Sequence, residues 1–388
     1  MIEFGELHLG ETSKKHLLDV MATNWATAGP KVKEFEEGWG NLFGYKYNKA
    51  VSSGTDACLN AVASLYHTTD ARPGDEVIVP ALSFIATTNA VRMAGFTPVW
   101  VDVKEWTLNI NPDLIEAAIT SRTKAIMVVH TMGKPCKMDK IMEIAKKHNL
   151  KVIEDCCEAH GAKYKRRYVG TWGDAACFSF YTAHLICCGE GGMVSTNDEL
   201  TAESVEATRS HGRLGGGKFF DHALFGFNSK MNDLEASLGL EGIEDFEETY
   251  LTRKANLRYL MMKTSHHGPR AWMNTENFFE DVAPHGFTIT MKPGKGDIQT
   301  LQRVFDQNGV HWKRNFGCIP TQHGAYQDYG YREGDFPAPE WIVTGKQKRR
   351  RVHSPLVVHL EFCFRLFYAH LAGKLRPPWA PQSWVPHR

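Results

Sequence analysis

The feature that most limits what this chain can fold into is a repeated alternation. Short runs rich in Val and Ile are separated by stretches with helical spacing. EVIVPALSF (76–84) is followed by IATTNAVRMAG, TPVWVDV (97–103) by PDLIEAAIT (112–120), and KAIMVVHTMG (124–133) by MDKIMEIAKKHN (138–149). KVIEDCCEAHG (151–161) then opens as another apolar run and ends in a polar cluster. Runs of this kind are strands buried on both faces, and the helices between them make a parallel sheet covered on each side. Right-handed crossovers bring the strands' carboxyl ends to one edge, where ligand groups collect. The fold class is therefore α/β with a mostly parallel sheet. Helical patterns over 12–45, broken at Ala28-Gly29-Pro30, precede it. From about 247 the pattern becomes mixed α+β, as in FTITMKP and GVHWKRNF. We read a large domain over 1–247 and a smaller α+β domain over 248–340.

Four strand ends carry residues capable of chemistry. Ser53-Gly54-Thr55 closes a short apolar run, and Asp56 stands in the first turn of the helix that follows. Free N–H groups at a helix start, with hydroxyls and a glycine for close approach, make a phosphate cradle. A plain N-cap is the competing reading. Phe84 either stacks on an aromatic ligand or joins the core, the default for a phenylalanine. Asp155 can face a ring nitrogen, ligate a metal or cap a loop. Ser179, in FSFY, holds a phosphate or satisfies backbone. The strand DAACFSFY leads into TAHLICCGEGG, a loop of small and polar residues that contains His184. An imidazole titrating near neutrality can act as acid or base, although a lone histidine on a loop is more often structural.

Composition excludes little within the soluble classes but does set limits. The net charge is +1, so nothing argues for nucleic acid or an anionic membrane as a partner of the whole chain. The start, MIEFGELHLGET, lacks a basic region followed by an apolar run, and no long uninterrupted apolar stretch exists. The nine cysteines include two adjacent pairs, Cys156-Cys157 and Cys187-Cys188, a spacing that suits neither a stapling disulfide nor zinc. The expectation is reduced thiols in a cytoplasmic protein, with no metal site. Charge is uneven, however. Residues 341–388 carry nine Lys/Arg and one acid, leaving 36 basic and 43 acidic residues in 1–340.

Taken in order, TAGPKVKEFE, SSGTDA, VPALSFIAT, PVWVDV, VVHTMGKPCKMD, VIEDCCEAHG, FSFYTAH…GEGGMVST and GFNSKMNDLEASLG resemble the DegT/DnrJ/EryC1/StrS sugar aminotransferases. These are fold-type I, aspartate aminotransferase-like enzymes that use pyridoxal 5′-phosphate. The resemblance covers roughly residues 8–335. It implies that Ser53, Gly54, Thr55 and Ser179 hold the cofactor phosphate. It implies that Phe84 stacks on the pyridine ring and that Asp155 pairs with the ring nitrogen, keeping the ring an electron sink. It further implies that Asn228, with Lys230, reaches the site of a neighbouring subunit, so that a homodimer shares its active sites.

One departure changes the expected chemistry. The family's Schiff-base lysine stands where this chain has His184, and no lysine occurs between Arg167 and Lys218. A subset of the family shows the same change: 3-dehydratases of 4-keto-6-deoxy nucleotide sugars, such as GDP-4-keto-6-deoxy-D-mannose 3-dehydratase. Their resemblance extends to the Cys-Glu form of Glu154-Asp155-Cys156-Cys157-Glu158. The implied activity is loss of the C3 oxygen in deoxysugar biosynthesis, of the kind that serves lipopolysaccharide O-antigen. His184 is its base and acid, and Glu158 orients the cofactor's ring hydroxyl. The stretch 211–227 has no cysteine for an iron–sulfur cluster. The glutamate-dependent type, which recharges pyridoxamine phosphate from L-glutamate, is therefore expected. The alternatives are a transaminase using Lys218 or Lys230, and a binding protein that has lost catalysis. A second departure is the basic tail, 341–388. It reads either as a binding tail for anions or membrane, or, on its charge shift and lost periodicity, as a segment not native to the fold, such as a frameshifted end.

Overall fold

The computed structural model describes residues 9–214, 221–292, 294–295, 298–308, 310, 312–314, 319–344 and 357–360. The strands are β1 (Tyr47–Val51), β2 (Glu76–Pro80), β3 (Thr97–Val101), β4 (Thr123–Val129), β5 (Lys151–Asp155), β6 (Lys163–Tyr164), β7 (Arg167–Tyr168), β8 (Ala175–Ser179), β9 (Gly192–Thr196), β10 (Ala271–Met273), β11 (Glu280–Asp281), β12 (Phe287–Met291), β13 (Lys313–Arg314) and β14 (Val357–Leu360). The α-helices are α1 (Glu11–Thr23), α2 (Pro30–Phe43), α3 (Gly54–Ala63), α4 (Leu65–Thr68), α5 (Ile85–Met93), α6 (Pro112–Ile115), α7 (Met138–His148), α8 (Glu199–Thr208), α9 (Asp233–Glu244), α10 (Phe246–Thr264), α11 (Ile298–Gln307) and α12 (Pro337–Thr344).

The central sheet has seven strands in the order β1-β9-β8-β5-β4-β2-β3. Only β9 runs against the others, pairing antiparallel with both β8 and β1. Strand alternation divides the apolar runs between two faces. Val77, Val79, Met127 and Ile153 pack with α3 and α5 on one side. Ile78, Ile126, Val128 and Val152 pack with α7 on the other. Under α2, Phe35 and Trp39 meet Phe178, Phe180 and Met193. Side chains of this kind, fully buried, each contribute roughly 1.5–3 kcal/mol.

The same alternation separates two adjacent acids. Glu154 lies on the Val152 face and accepts from the backbone N–H groups of Gly170 and Gly173 at 2.7 and 2.6 Å. His130 donates to it through Nε2 at 3.0 Å, because His130 Nδ1 accepts from the Cys136 N–H. Glu154 therefore ties down loops. Asp155, one residue on, faces the α3 side at the strand's carboxyl end.

A second sheet, β10-β12-β14-β13, is antiparallel throughout and packs with Leu257 of α10 around Phe287 and Ile289. Lys254 of α10 holds its loops together, meeting Glu276, Asp281 and the carbonyl of Val282. Position 341, where the sequence starts the tail, falls inside α12, and Trp341 and Ile342 are buried. Val357–Leu360 pairs with β12 and β13. The other tail residues, 345–356 and 361–388, lie outside the described residues, as does Lys218.

The expected helix over 112–120 is shorter. After Ile115 it tightens into a 3₁₀ turn, and Ile119 is extended. Hydrogen bonds of Thr120 with Glu76 and Thr123 outcompete further helix.

Candidate active site

The carboxyl ends of β1, β2, β4, β5 and β8 meet along one edge. Register aligns them: Val129 with Asp155, Asp155 with Cys177, Ser179 with Gly192, and Gly192 with Val51. Gly192 is required there, since a Cβ would stand 2.2 Å from the Ser53 carbonyl oxygen.

Ser53 caps α3, its Oγ accepting from the Asp56 N–H at 3.1 Å and donating to the Asp56 carboxylate at 2.8 Å. The N-cap reading is thus realised, and the cap also places Gly54 and Thr55 at the helix start. A Cβ on Gly54 would lie 2.5 Å from Ser179 Cβ, 2.9 Å from Ser179 Oγ and 3.2 Å from Cys157 Sγ. The first residues of this capped helix, Gly54 and Thr55, stand beside a hydroxyl with no side chain between, which suits a phosphate. Gly54→Ala should cost about 1–3 kcal/mol of strain, which, if it falls on binding, is roughly 5–150-fold in cofactor affinity. Absorbance titration of cofactor-free protein measures this. Unchanged affinity would remove Gly54 from the cradle.

Asp155 is buried and built into polar contacts. Thr87 Oγ1 donates to Oδ2 at 2.8 Å, and the Cys157 N–H donates to Oδ1 at 3.2 Å. Cys58 Sγ lies 3.8 Å from Oδ2. The thiols around it stay protonated. Contact with Cys58, then burial and the Asp155 carboxylate, hold Cys157 well above the usual thiol range, and burial pushes Cys177 up to about 11. Phe84 stands just before α5, one turn from Thr87, and is 62% exposed. The core reading of this residue therefore fails, and its ring is open to a flat ligand.

His184 is half-buried on the loop after β8, its backbone N–H bonded to the Tyr181 carbonyl at 2.9 Å. It is the middle ring of three imidazoles, with centroids 5.7 Å from His160 and 5.2 Å from His285. Its Nδ1 is buried without a hydrogen-bond partner. Burial, with the Arg253 charge second, pulls its pKa down to about 3. The ring is therefore neutral at physiological pH, with its nitrogen lone pair free, though burial also makes it a weaker base than an exposed imidazole. Burial also holds His160 well below the usual range, with the His184 charge second.

This sets a pH dependence. Unfolded chain takes up protons below about pH 6.5, while folded His184 resists until near 3. The stability is complete above that upper value and is lost as pH falls toward the lower one. The melting temperature should decline across this window, and less steeply in His184→Asn. An equal decline in both proteins would contradict the assignment.

Glu158 lies beyond this stack. Its Oε2 accepts from the Met132 N–H at 2.6 Å, and its Oε1 is 3.7 Å from His285 Nε2. Met132 has φ +55°, a left-handed conformation uncommon for such a side chain. Asn228 and Lys230 bond to each other at 2.7 Å, Asn228 exposed, on a segment whose Ser229 carbonyl accepts from Ser52. They lie beside the β1 exit, outside the Asp155 and His184 contacts. Sequence reasoning missed His160, His285, Arg253 and Thr87. Thr87 had a local signal, three residues after Phe84 in the first turn of α5, and His160 had one in the polar cluster that closes KVIEDCCEAHG.

The Ser53-Gly54-Thr55 cradle, the open ring of Phe84 and the buried Asp155 fit a phosphorylated pyridine. Comparison with known proteins agrees: residues 8–360 match the DegT/DnrJ/EryC1/StrS aminotransferase family. The chain belongs to that family. A dTDP-3-amino-3,6-dideoxy-alpha-D-galactopyranose transaminase of Aneurinibacillus thermoaerophilus is 44% identical, over 83% of this chain and 85% of that protein. A dTDP-4-dehydro-2,6-dideoxy-D-glucose 3-dehydratase of Saccharopolyspora spinosa is 34% identical, over 87% and 79%. An E. coli GDP-4-keto-6-deoxy-D-mannose-3-dehydratase with bound hydrated PLP superposes with a TM-score of 0.82 at 25% identity, over 93% of this chain and 96% of that one. The fold is accordingly that of fold-type I enzymes, and the family's cofactor is pyridoxal 5′-phosphate or its pyridoxamine form. Among the described residues no helix is long and apolar enough to cross a membrane.

Proposed function

We propose that this chain is a 3-dehydratase of a 4-keto-6-deoxy nucleotide sugar, recharged by L-glutamate. The observation that carries the reading is a neutral imidazole, His184, at the loop position where the family has its lysine, with no lysine between Arg167 and Lys218. When bound, the cofactor supplies an amine for the sugar's keto carbon and a ring that accepts electrons. The chain's residues do the rest. Ser53, Gly54, Thr55 and Ser179 hold the phosphate. Phe84 covers a ring face, and the Asp155 carboxylate accepts the ring N–H. Glu158 orients the ring hydroxyl. His184 takes up a proton on its imidazole and returns it to the departing C3 hydroxyl. Asn228 and Lys230, beside the β1 exit, are available to the site of a second copy in a cytoplasmic homodimer.

The 44% identity to a transaminase keeps a second reading in view, an amino-sugar product. Purified protein given pyridoxal phosphate, L-glutamate and a 4-keto-6-deoxy nucleotide sugar separates the two. The expected products are 2-oxoglutarate, ammonia and a sugar nucleotide one oxygen atom lighter, with no lysine fixed to cofactor by borohydride. An amino sugar, or a borohydride-fixed lysine, would establish the transaminase instead.

A further inference from the structure

His184 lacks the usual means of fixing an imidazole. Its Nδ1 meets no carboxylate or carbonyl, so no hydrogen bond there sets its tautomer or ring plane. Three rings surround it: Tyr181 edge-on at 6.5 Å, and two nearer imidazoles. The plane of His160 is tilted 32° to it and that of His285 28°. His160 follows β5 and is buried next to Phe178 and Phe180 in the rigid core. His285 has a different origin. It stands two residues before β12 and is brought to the site from the second sheet.

That arrival is tightly constructed. The Ala283 N–H donates to the Gly133 carbonyl at 2.9 Å, and the His285 N–H donates to the Ala283 carbonyl at 2.9 Å. Gly133 has φ +75°, and a Cβ there would stand 2.2 Å from the Ala283 carbonyl oxygen. The turn after β4 and the segment before β12 thus fit only in contact. Glu158 bridges the same two pieces, one oxygen on the Met132 N–H and the other toward His285 Nε2. A left-handed backbone at Met132 is what aims that N–H at the carboxylate.

We propose that His285 is a positioning residue for His184. Its ring, with Glu158 Oε1 3.7 Å from Nε2, holds the His184 imidazole against His160 in the plane from which it exchanges its proton. The second sheet thereby sets the orientation of a base carried by the first. The function of His184 as base rests on the proposed reaction, but the packing claim does not.

Two substitutions separate the ring from its polar contact. His285→Gln keeps a polar contact for Glu158 and removes the ring. His285→Phe keeps a ring and removes the polar contact. The first readout needs no cofactor: diethyl pyrocarbonate labelling of His184, followed by mass spectrometry. The tryptic fragment from Tyr168 to Arg209 holds His184 as its one histidine. His285→Gln should label several-fold faster than wild type, and His285→Phe at the wild-type rate. His285→Gln labelling at the wild-type rate would overturn the proposal, as would fast labelling of His285→Phe. Either variant decides alone if the other does not fold. The second readout is turnover. Loss of ring alignment should lower kcat about 10²-fold in His285→Gln, with KM unchanged, and His285→Phe should recover most of it. A change in KM alone would place His285 in substrate binding and overturn the proposal. If wild type removes no oxygen from any sugar tested, the dehydratase reading fails while the labelling still judges His285.

Discussion

His184→Asn is expected to lower deoxygenation by about 10²–10⁴-fold, the range that a positioned acid–base group contributes. Cofactor affinity should stay as it is. Asparagine keeps polarity and part of the volume between His160 and His285 but cannot carry a proton. In the proposed site the cofactor's phosphate would rest on the Ser53-Gly54-Thr55 turn and its ring on Phe84 and Asp155, none of which rests on the imidazole. Cofactor titration and product analysis on the same preparation test both halves. The pH profile adds a further check. Burial and Arg253 keep His184 neutral above its lowered pKa, so wild-type activity should hold as pH falls through 6.5, where an ordinary histidine would protonate. Turnover in His184→Asn close to that of wild type would take the residue out of the mechanism. His184→Lys places an amine at the same point, and a cofactor that borohydride fixes to residue 184 would confirm that this loop position faces the cofactor.

The central sheet was legible because its signal is local. Val77 to Val79, Ile126 to Val129 and Val152-Ile153 are apolar without alternation, and burial on both faces demands that. The strand ends were legible for a related reason: Ser179 follows such a run directly, and Ser53 and Asp155 follow one after a single polar residue. Phe84 was ambiguous because a phenylalanine after a strand is ordinarily core, and only tertiary packing leaves it 62% exposed. Which of Glu154 and Asp155 faces the site depends on one step of strand register, which side-chain chemistry does not reveal. His285 was hidden for another reason. It stands 101 positions from His184 in the chain, and the two meet through the Gly133–Ala283 contact between sheets. No period or spacing encodes such a contact. Arg253, on α10, was hidden likewise.

Asp155→Asn should have the second large effect, a loss of about 10²–10³-fold, as for removal of one preorganised electrostatic group. The choice of asparagine matters. Asp155→Ala would leave the Thr87 hydroxyl and the Cys157 N–H without their acceptor, costing roughly 1–3 kcal/mol for each buried group. That would mix unfolding with chemistry. Asparagine keeps an oxygen for one of these donors and fills the same space between Cys58 and Thr87. What it removes is the charge. A cofactor ring nitrogen facing a neutral amide there would no longer be held protonated, and the ring would lose its pull on electrons although bound. The thiols cannot substitute, because Cys157 and Cys177 are held protonated. The variant should therefore bind cofactor, show an altered absorbance band and melt near the wild-type temperature, while its half-reaction with L-glutamate slows by the same factor as deoxygenation. Equal slowing is the informative result, since both half-reactions draw on the ring. Slowing of the sugar step alone would move Asp155 from the cofactor to the substrate, and wild-type rates in both would show that the carboxylate serves only to order Thr87 and the loop after β5.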